Sequence, residues 1–486
     1  MNISTFFGLN VGMSALDTMQ QAEDVVSNNI ANANTTGYVR ETASISEQAP
    51  FPSVPANDSP LLNGQLGQGS EVASVARQTN AFINEQDRAN QGTLQMFQTH
   101  SQNLTQIESI LNEPSSMSMQ NAVDQFFASW QTLSTDPSNT AARQAVISQA
   151  QTVGQTFQTI TTQLEQMQSN TSNTIIGQVN QLNQYASQVA KLNGQITTIE
   201  KNGQSPNQLL DQRGNIINEM AKLANITYTN NSSNPSQVDI SIVGTSATAQ
   251  LVSGTTASTL QPPGVTLANG SPLSDVGSAL AYITSGTIAG NLQTMDDTSK
   301  ILANNDAFLS TLAQQVNNQQ SHGVTLSGVV GPALFQTSSD SMGHTQLSIT
   351  TNFSPSDIAA GTTSASGDNT NALAMVSLQN SPETFTYSYN SLVKGTTVSN
   401  TYSGTFDQSL AQTVSSLGIE TSQINSQLQT ANSLASQSSN LRQSISGVDI
   451  NGEAAKMVEY QNVYNAAAKF ITVYNSMLQT LIGIIP

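Results

Sequence analysis

Apolar residues recur most regularly at the two ends of the chain. From Met457 they run Met457, Tyr460, Tyr464, Ala467, Ile471, Tyr474, Leu478, Leu481 and Ile485, an unbroken alternation of three and four residues. That spacing is the seam of a left-handed coiled coil. Near the start Leu9, Gly12, Leu16, Met19, Glu23, Val26, Ile30 and Ala33 repeat it, with Glu23 the one charged intruder. Each segment is about 30 residues, or about 45 Å of helix. Each offers one narrow seam and has no neighbour in sequence to cover it, so the spacing predicts that the first helix packs on the last.

Longer helices lie between. Ile83, Phe97, Leu104 and Leu111 share a seven-residue repeat in which Asn90 is the polar exception. Val146, Ala150, Val153, Phe157, Ile160, Leu164 and Met167 run in threes and fours, slip to four-four through Thr171, Ile175 and Val179, and resume at Leu182, Ala186 and Val189. Such a stutter unwinds a supercoil locally without ending the helix, so one helix of about 90 Å is expected from about Ala141 to Lys201. Two more are expected at about Leu280 to Asn318 and Phe406 to Ser444. Between Ile226 and Asp275 the period drops to two at Val238–Val243 amid Gly, Pro, Ser and Thr, which predicts a small β domain. His322 to Gly404 reads as short strands and loops. The fold class expected is mainly α with inserted β: paired terminal helices as a coiled coil, a long-helix bundle in the middle layer and a small β domain outside. The domains expected are 1–40 with 447–486, 41–225 with 276–446 (β and loop excursions around 322–404), and 226–275.

Composition narrows the functions. The formal charge is −18, yet only 9% of the 486 residues are charged and 37% are hydrophobic. Thirteen cations against thirty-one carboxylates disfavour a phosphate-tracking grip on nucleic acid. No stretch approaches the length of a transmembrane helix, so no membrane insertion is expected. Met1 to Gln20 lacks the parts of a cleaved signal peptide. Cysteine is absent, which removes disulfides, thiolate nucleophiles and Cys-based zinc sites.

Catalytic patterns are missing too: no His-Glu-x-x-His, Gly-x-Ser-x-Gly, Walker loop or dinucleotide fingerprint occurs. His100 reads as a packed or rim histidine, while His322 and His344 read as solvated. Gly64, Gly67 and Gly69 read as flexible loop, and Asp296-Asp297 as a solvated helix face. Asp449 and Glu453 suit a helix start. No catalytic, cofactor-binding or metal residue is assigned. The unusual feature is the polar block Ser27 to Arg40. Gly37 is placed for a positive φ after a helix, and Arg40 for the negative end of that helix's dipole. Asn28, Asn29 and Asn32 exceed what a cap needs, so hydrogen bonding between helices or between subunits stands beside capping.

Asn28-Asn29-Ile30-Ala31-Asn32 followed by Asn34-Thr35-Thr36-Gly37-Tyr38 resembles the N-terminal signature of bacterial flagellar rod, hook and hook-associated proteins. Ser446 to Asp449 with Glu453, Tyr460-Gln461, Tyr464 and Ala466 to Lys469 resembles the C-terminal one. Leu111 to Pro114, Phe126-Phe127, Trp130, Asp136-Pro137 to Arg143, Leu209 to Arg213, and Val316-Asn317 to Gly328, Gly331 and Phe335 are similar to the hook-associated protein 1 family. The β insert, Lys394 to Gly404 and the tail through Pro486 depart from it. The resemblance implies a structural protein without a cofactor, a homo-oligomeric ring at the distal end of the hook, beneath hook-associated protein 3 and the filament. It implies hook protein as a further partner, a flagellar export chaperone on the C-terminal region, and type III export without a cleaved signal, hence an extracellular place in the flagellum. A hook or distal rod protein is the near alternative, and a secreted coiled-coil adhesin the distant one.

The assembly-interface residues expected are Leu9, Leu16, Met19, Val26, Asn28, Asn29, Ile30, Asn32, Asn34, Thr35, Gly37 and Tyr38, with Met457, Tyr460, Gln461, Tyr464, Ile471, Tyr474, Leu478 and Leu481. Because one seam buries little, the segments before about Arg40 and after about Ser446 are expected to be disordered in the free monomer and to fold on assembly.

Overall fold

The computed structural model of the chain describes residues 6–50, 66–111, 115, 118–243, 248–260 and 283–483. Helix α1 (Phe7–Ala31) leads into an antiparallel pair, β1 (Glu41–Glu47) with β2 (Ser70–Arg77). Helices α2 (Ala81–Leu111), α3 (Met119–Thr135), α4 (Thr140–Glu200) and α5 (Asn207–Leu223) follow. An antiparallel sheet in chain order comes next: β3 (Ile226–Asn230), β4 (Val238–Val243), β5 (Thr248–Ser253) and β6 (Thr256–Ala257). Helix α6 (Gly286–Ser321), hairpin β7–β8 (Phe335–Ser339, Thr345–Ile349), short helix α7 (Thr370–Leu378) and hairpin β9–β10 (Glu383–Ser391, Thr396–Gly404) precede α8 (Phe406–Ser446) and α9 (Ile450–Gly483).

Helices α3, α4 and α8 start on side chains that hydrogen-bond orphan N–H groups. Asn139 Oδ1 accepts from Ala142 N at 3.1 Å to start α4. Thr405 and Gln408 form a reciprocal capping box at α8. Helix α4 runs unbroken for 61 residues through the stutter, where Thr171 and Ser172 are buried. The stutter marks a boundary. Leu164 and Met167 belong to one hydrophobic core with α3, the C-terminal half of α6 and the start of α8. Ile175, Val179 and Leu182 belong to a second with α5, the β3–β6 sheet and the N-terminal half of α6. Expected loops at 322–404 include α7 and two hairpins, and the residues 112–114 and 261–282 of expected motifs lie outside those described.

The first core is centred on aromatic rings. Phe157 stacks on Phe308 at 5.2 Å between centroids, Phe385 stacks on Tyr402 at 5.2 Å, and Phe406 meets Phe308 edge-on at 5.5 Å. Beside it Arg143 is 2% exposed without a carboxylate partner in this structure's described contacts. Its Nε donates to Pro137 O at 2.7 Å and its Nη1 to Ile358 O at 2.5 Å and Pro355 O at 3.2 Å. Burial lowers its pKa, and the three carbonyls replace water. Arg143→Leu is expected to cost about 3 kcal/mol, because buried carbonyls lose their donors, read as a fall in the urea midpoint at unchanged slope.

Within the bundle two sequence expectations need correcting. His344 is not merely solvated: its Nδ1 lies 2.9 Å from Asp306 Oδ2, and Asp340 Oδ1 accepts from its backbone N. Burial and then the neighbouring Asp340 push Glu165 of α4 up to about 7. Burial pulls His344 down, but Asp306, Asp340 and Glu165 outweigh it and its pKa is raised. Both shifts have one sign. The folded state holds more protons than the unfolded state, so this cluster's contribution falls as pH rises from about 4.5 to 8. Glu165→Gln is expected to flatten that dependence and to stabilise the protein by about 1 kcal/mol at about pH 8, discounted for solvent screening. Urea melts at mildly acidic and mildly basic pH check it. The second correction is Asp296, which is not on a solvated face. It accepts from the Ser391 hydroxyl and from Leu392 N at 2.6 Å, tying hairpin β9–β10 to α6.

Candidate assembly interface

Helices α1 and α9 pack along the seam that their spacing predicts. On α9, Met457, Tyr460, Tyr464, Ile471, Tyr474 and Leu478 are half-buried, whereas most intervening positions are exposed. On α1, Met19 and Val26 are buried, and Leu9, Leu16 and Ile30 are half-buried. Close approach depends on small residues. A Cβ at Gly8 would lie 2.6 Å from the Tyr474 ring, and one at Gly12 would lie 2.8 Å from Ile471 Cγ1. Gln461 Nε2 donates to Glu23 Oε1 at 2.9 Å, which gives the charged intruder a partner across the pair. Leu481 lies within α9, with its side chain outside what the structure describes.

The polar block closes one end of the pair around Asn29, which is fully buried. Its Nδ2 donates to Glu41 O at 2.8 Å and to Glu453 Oε2 at 2.9 Å. Its Oδ1 accepts from Tyr38 Oη at 2.8 Å and from Glu41 N at 2.9 Å. An amide has two donors and two lone pairs, and all four are used. Glu453, 1% exposed, is also paired with Lys456 at 2.8 Å. Asn28 Nδ2 donates to Tyr38 Oη at 3.2 Å, and Asn32 Nδ2 donates to Asn28 O at 3.0 Å. Thr35 Oγ1 donates to Asn32 Oδ1 at 3.2 Å, and Asn34 is exposed. Burial, then Glu41, raises the Tyr38 phenol pKa, keeping it neutral and able to donate. The asparagines thus divide between capping and a bond between helices of one chain.

The same node docks the pair onto the bundle. Arg40 lies at the end of α8 rather than of α1: its N donates to Ser446 O at 2.9 Å and its Nη2 to Ile445 O at 3.4 Å. Asp211 of α5 accepts from Val39 N at 3.2 Å and from Arg77 Nε at 2.7 Å. Gly37 has a φ of 77°, and a Cβ there would sit 1.8 Å from Asn215 Oδ1, so the turn and the close approach both require glycine. Thr18 Oγ1 donates to Ser70 O at 2.8 Å, holding α1 on β2. Gly69, expected in a loop, precedes that strand with a φ of 107°.

Away from the node the pair is open. Val463, Phe470, Val473 and Met477 on α9 and Phe6 and Met13 beside and on α1 are exposed large hydrophobics, with Met477 64% exposed. Val463, Phe470 and Met477 repeat every seven residues, with Val473 between the last two, so they form a second stripe next to the paired seam. Among the described residues, none on α9 contributes to either core. The sequence reading missed this stripe and the Asp211 clasp. The stripe was legible as a second heptad in the same helix; Asp211 stood within the motif Leu209 to Arg213, but nothing local showed that it would clasp Val39 and Arg77. Among the described residues, no helix is long and apolar enough to cross a membrane.

Comparison with known proteins covers both the pair and the bundle. Residues 9–38 match the family model of the flagella basal body rod protein, and 442–484 that of the flagellar basal body rod FlgEFG protein C-terminal. Residues 104–335 match the flagellar hook-associated protein FlgK helical domain. Flagellar hook-associated protein 1 of Bacillus subtilis is 28% identical over 99% of this chain and 98% of its own length. That of Salmonella typhimurium is 33% identical over 45% of this chain and 38% of its own. The flagellar hook junction protein FlgK from Burkholderia pseudomallei superposes with a TM-score of 0.57 at 18% identity, over 74% of this chain and 100% of that one, which shows a shared fold.

Proposed function

Because this chain belongs to the flagellar hook-associated protein 1 family, we infer that it is a structural component of the bacterial flagellum at the junction between hook and filament. The observation that carries this reading is the α1–α9 pair, clasped to the bundle at one end and exposing a heptad stripe along its length. Such a surface is suited to packing against further copies of the chain in a ring; the seam and block residues, with Met19, Val26 and Asn29 buried inside the chain, form the pair that presents it. Hook protein on one side and hook-associated protein 3 on the other are the neighbours this reading assigns. A flagellar chaperone that covers the C-terminal region before export, and type III export without a cleaved signal, complete it. The matched helical domain over 104–335 favours this reading over a hook or distal rod protein.

Deleting the gene is expected to leave cells with hooks but no filaments and with filament subunits shed into the medium. Filaments of normal length on such cells would refute the assignment. The trimmed chain 41–446 is expected to keep a cooperative thermal transition, since both cores lie within it. Loss of that transition would show that the ends are part of the folding unit.

A further inference from the structure

Three helices bring His100, Asp297 and Glu420 together at mid-bundle, 197 residues separating the first two. His100, on α2, is 2% exposed. Its Nε2 faces Asp297 Oδ2 of α6 at 2.7 Å, and its Nδ1 is buried without a hydrogen-bond partner. The ring is therefore held from its Nε2 side alone, aimed into the cluster. The Asp297 side chain is 12% exposed, and Glu420 arrives from α8. One donor atom from each residue lies within 4.8 Å of the other two.

We propose that His100, Asp297 and Glu420 bind one divalent first-row transition-metal ion, Zn2+ being the ion to which this donor set is best suited. Imidazole nitrogen with carboxylate oxygens is borderline ligation that favours zinc over magnesium or calcium, which prefer oxygen alone. Donors about 2.0–2.1 Å from a tetrahedral ion are about 3.3 Å from one another. To hold an ion, partly exposed Glu420 closes on the other two donors, which lie within 4.8 Å of it, and the 2.7 Å His100–Asp297 contact opens by about 0.6 Å. Two carboxylates and a neutral imidazole match the charge of one divalent ion. Without an ion the two carboxylates crowd each other, one donor oxygen of each lying inside the same 4.8 Å. Asp296 is not available as a ligand, being engaged by Ser391 and Leu392. Lys300, in the next turn of α6, opposes the ion but leaves the net charge of the group negative.

An entry path exists. A cleft of about 860 Å³ between α6, α8 and hairpin β9–β10 reaches Asp297 and Glu420, with Tyr387, Tyr389 and Lys394 in its wall. Water from the cleft can fill the fourth position, as at an open three-ligand site. The ion would pin α2, α6 and α8 to one another.

The test uses the full chain, free of any histidine tag, stripped with a chelator and titrated with ZnCl2 by calorimetry. One equivalent is expected to bind with micromolar or tighter affinity and to raise the melting temperature, and Co2+ to give a d–d absorption band. Glu420→Gln and His100→Gln are expected to weaken zinc binding by about 100-fold or more and to remove the Co2+ band, whereas His322→Gln at an exposed position leaves both unchanged. Melting of each variant without metal verifies its fold. No saturable binding by the parent chain up to millimolar zinc would overturn the proposal, leaving a plain His–carboxylate contact. Binding that survives both substitutions, or that is lost with His322→Gln, would overturn it as well.

Discussion

Ile471→Asp or Leu478→Asp is expected to abolish incorporation at the hook tip while leaving the melting of the bundle unchanged. Both side chains are half-buried in the α1–α9 seam, and neither belongs to a bundle core. In the free chain a carboxylate at either position can turn towards water, and the two cores lose no contact. In the assembly, neighbours packed on the exposed stripe would close that route. A buried carboxylate without a partner then costs several kcal/mol, and each 1.4 kcal/mol is about tenfold in affinity. Met477→Asp separates the two surfaces: it leaves the seam intact and charges only the outer stripe, so it is expected to block assembly with the pair still helical. The readouts are motility, the fraction of hooks bearing filaments, and calorimetric melting of the purified chain. Normal filaments on cells carrying Ile471→Asp would remove the seam from the assembly interface.

The sequence made the long elements legible because their burial is periodic. The 3–4 spacing of α4 slips to four-four from Thr171 to Val179, and the helix continues there because nothing in the stretch breaks the backbone: no proline is present, and Gly177 has open space around it. The terminal pairing was readable since neither seam has a local partner. What escaped were contacts between residues distant in sequence. Strand β1 is rich in Ser, Thr and Glu, and its partner lies beyond a long intervening segment, so alternation alone does not reveal the hairpin. Asp296 and Asp297 looked like one acidic face. Neighbours on a helix point about 100° apart, however, and here one ties down a hairpin while the other meets His100. The Asn-rich block was visible as unusual, but which amide would be buried depended on Glu453, 424 residues away.

Asn29→Ala is expected to detach the terminal pair from the bundle. The substitution removes four hydrogen bonds at once and leaves Glu41 N and O, the Tyr38 hydroxyl and Glu453 Oε2 short of partners in a site without room for bulk water. Each buried group left unsatisfied costs about 1–3 kcal/mol, so a loss of about 3 kcal/mol is expected even with partial relaxation. Asn29→Asp is expected to be worse. It replaces both donors with a second carboxylate beside Glu453, whose remaining partner is Lys456. The node also makes the disorder expected for the free ends uneven. Residues near Asn29 and Glu453 are anchored, whereas the far ends of α1 and α9 rest on the half-buried seam alone. Hydrogen exchange of the dilute monomer is therefore expected to show protection around 26–30 and 453–457 that declines towards Phe7 and Gly483. Asn29→Ala is expected to erase this protection without shifting that of α4 or α6. Uniformly strong protection along both terminal helices, in parent and variant alike, would mean that the pair is stable by itself and that assembly does not fold it.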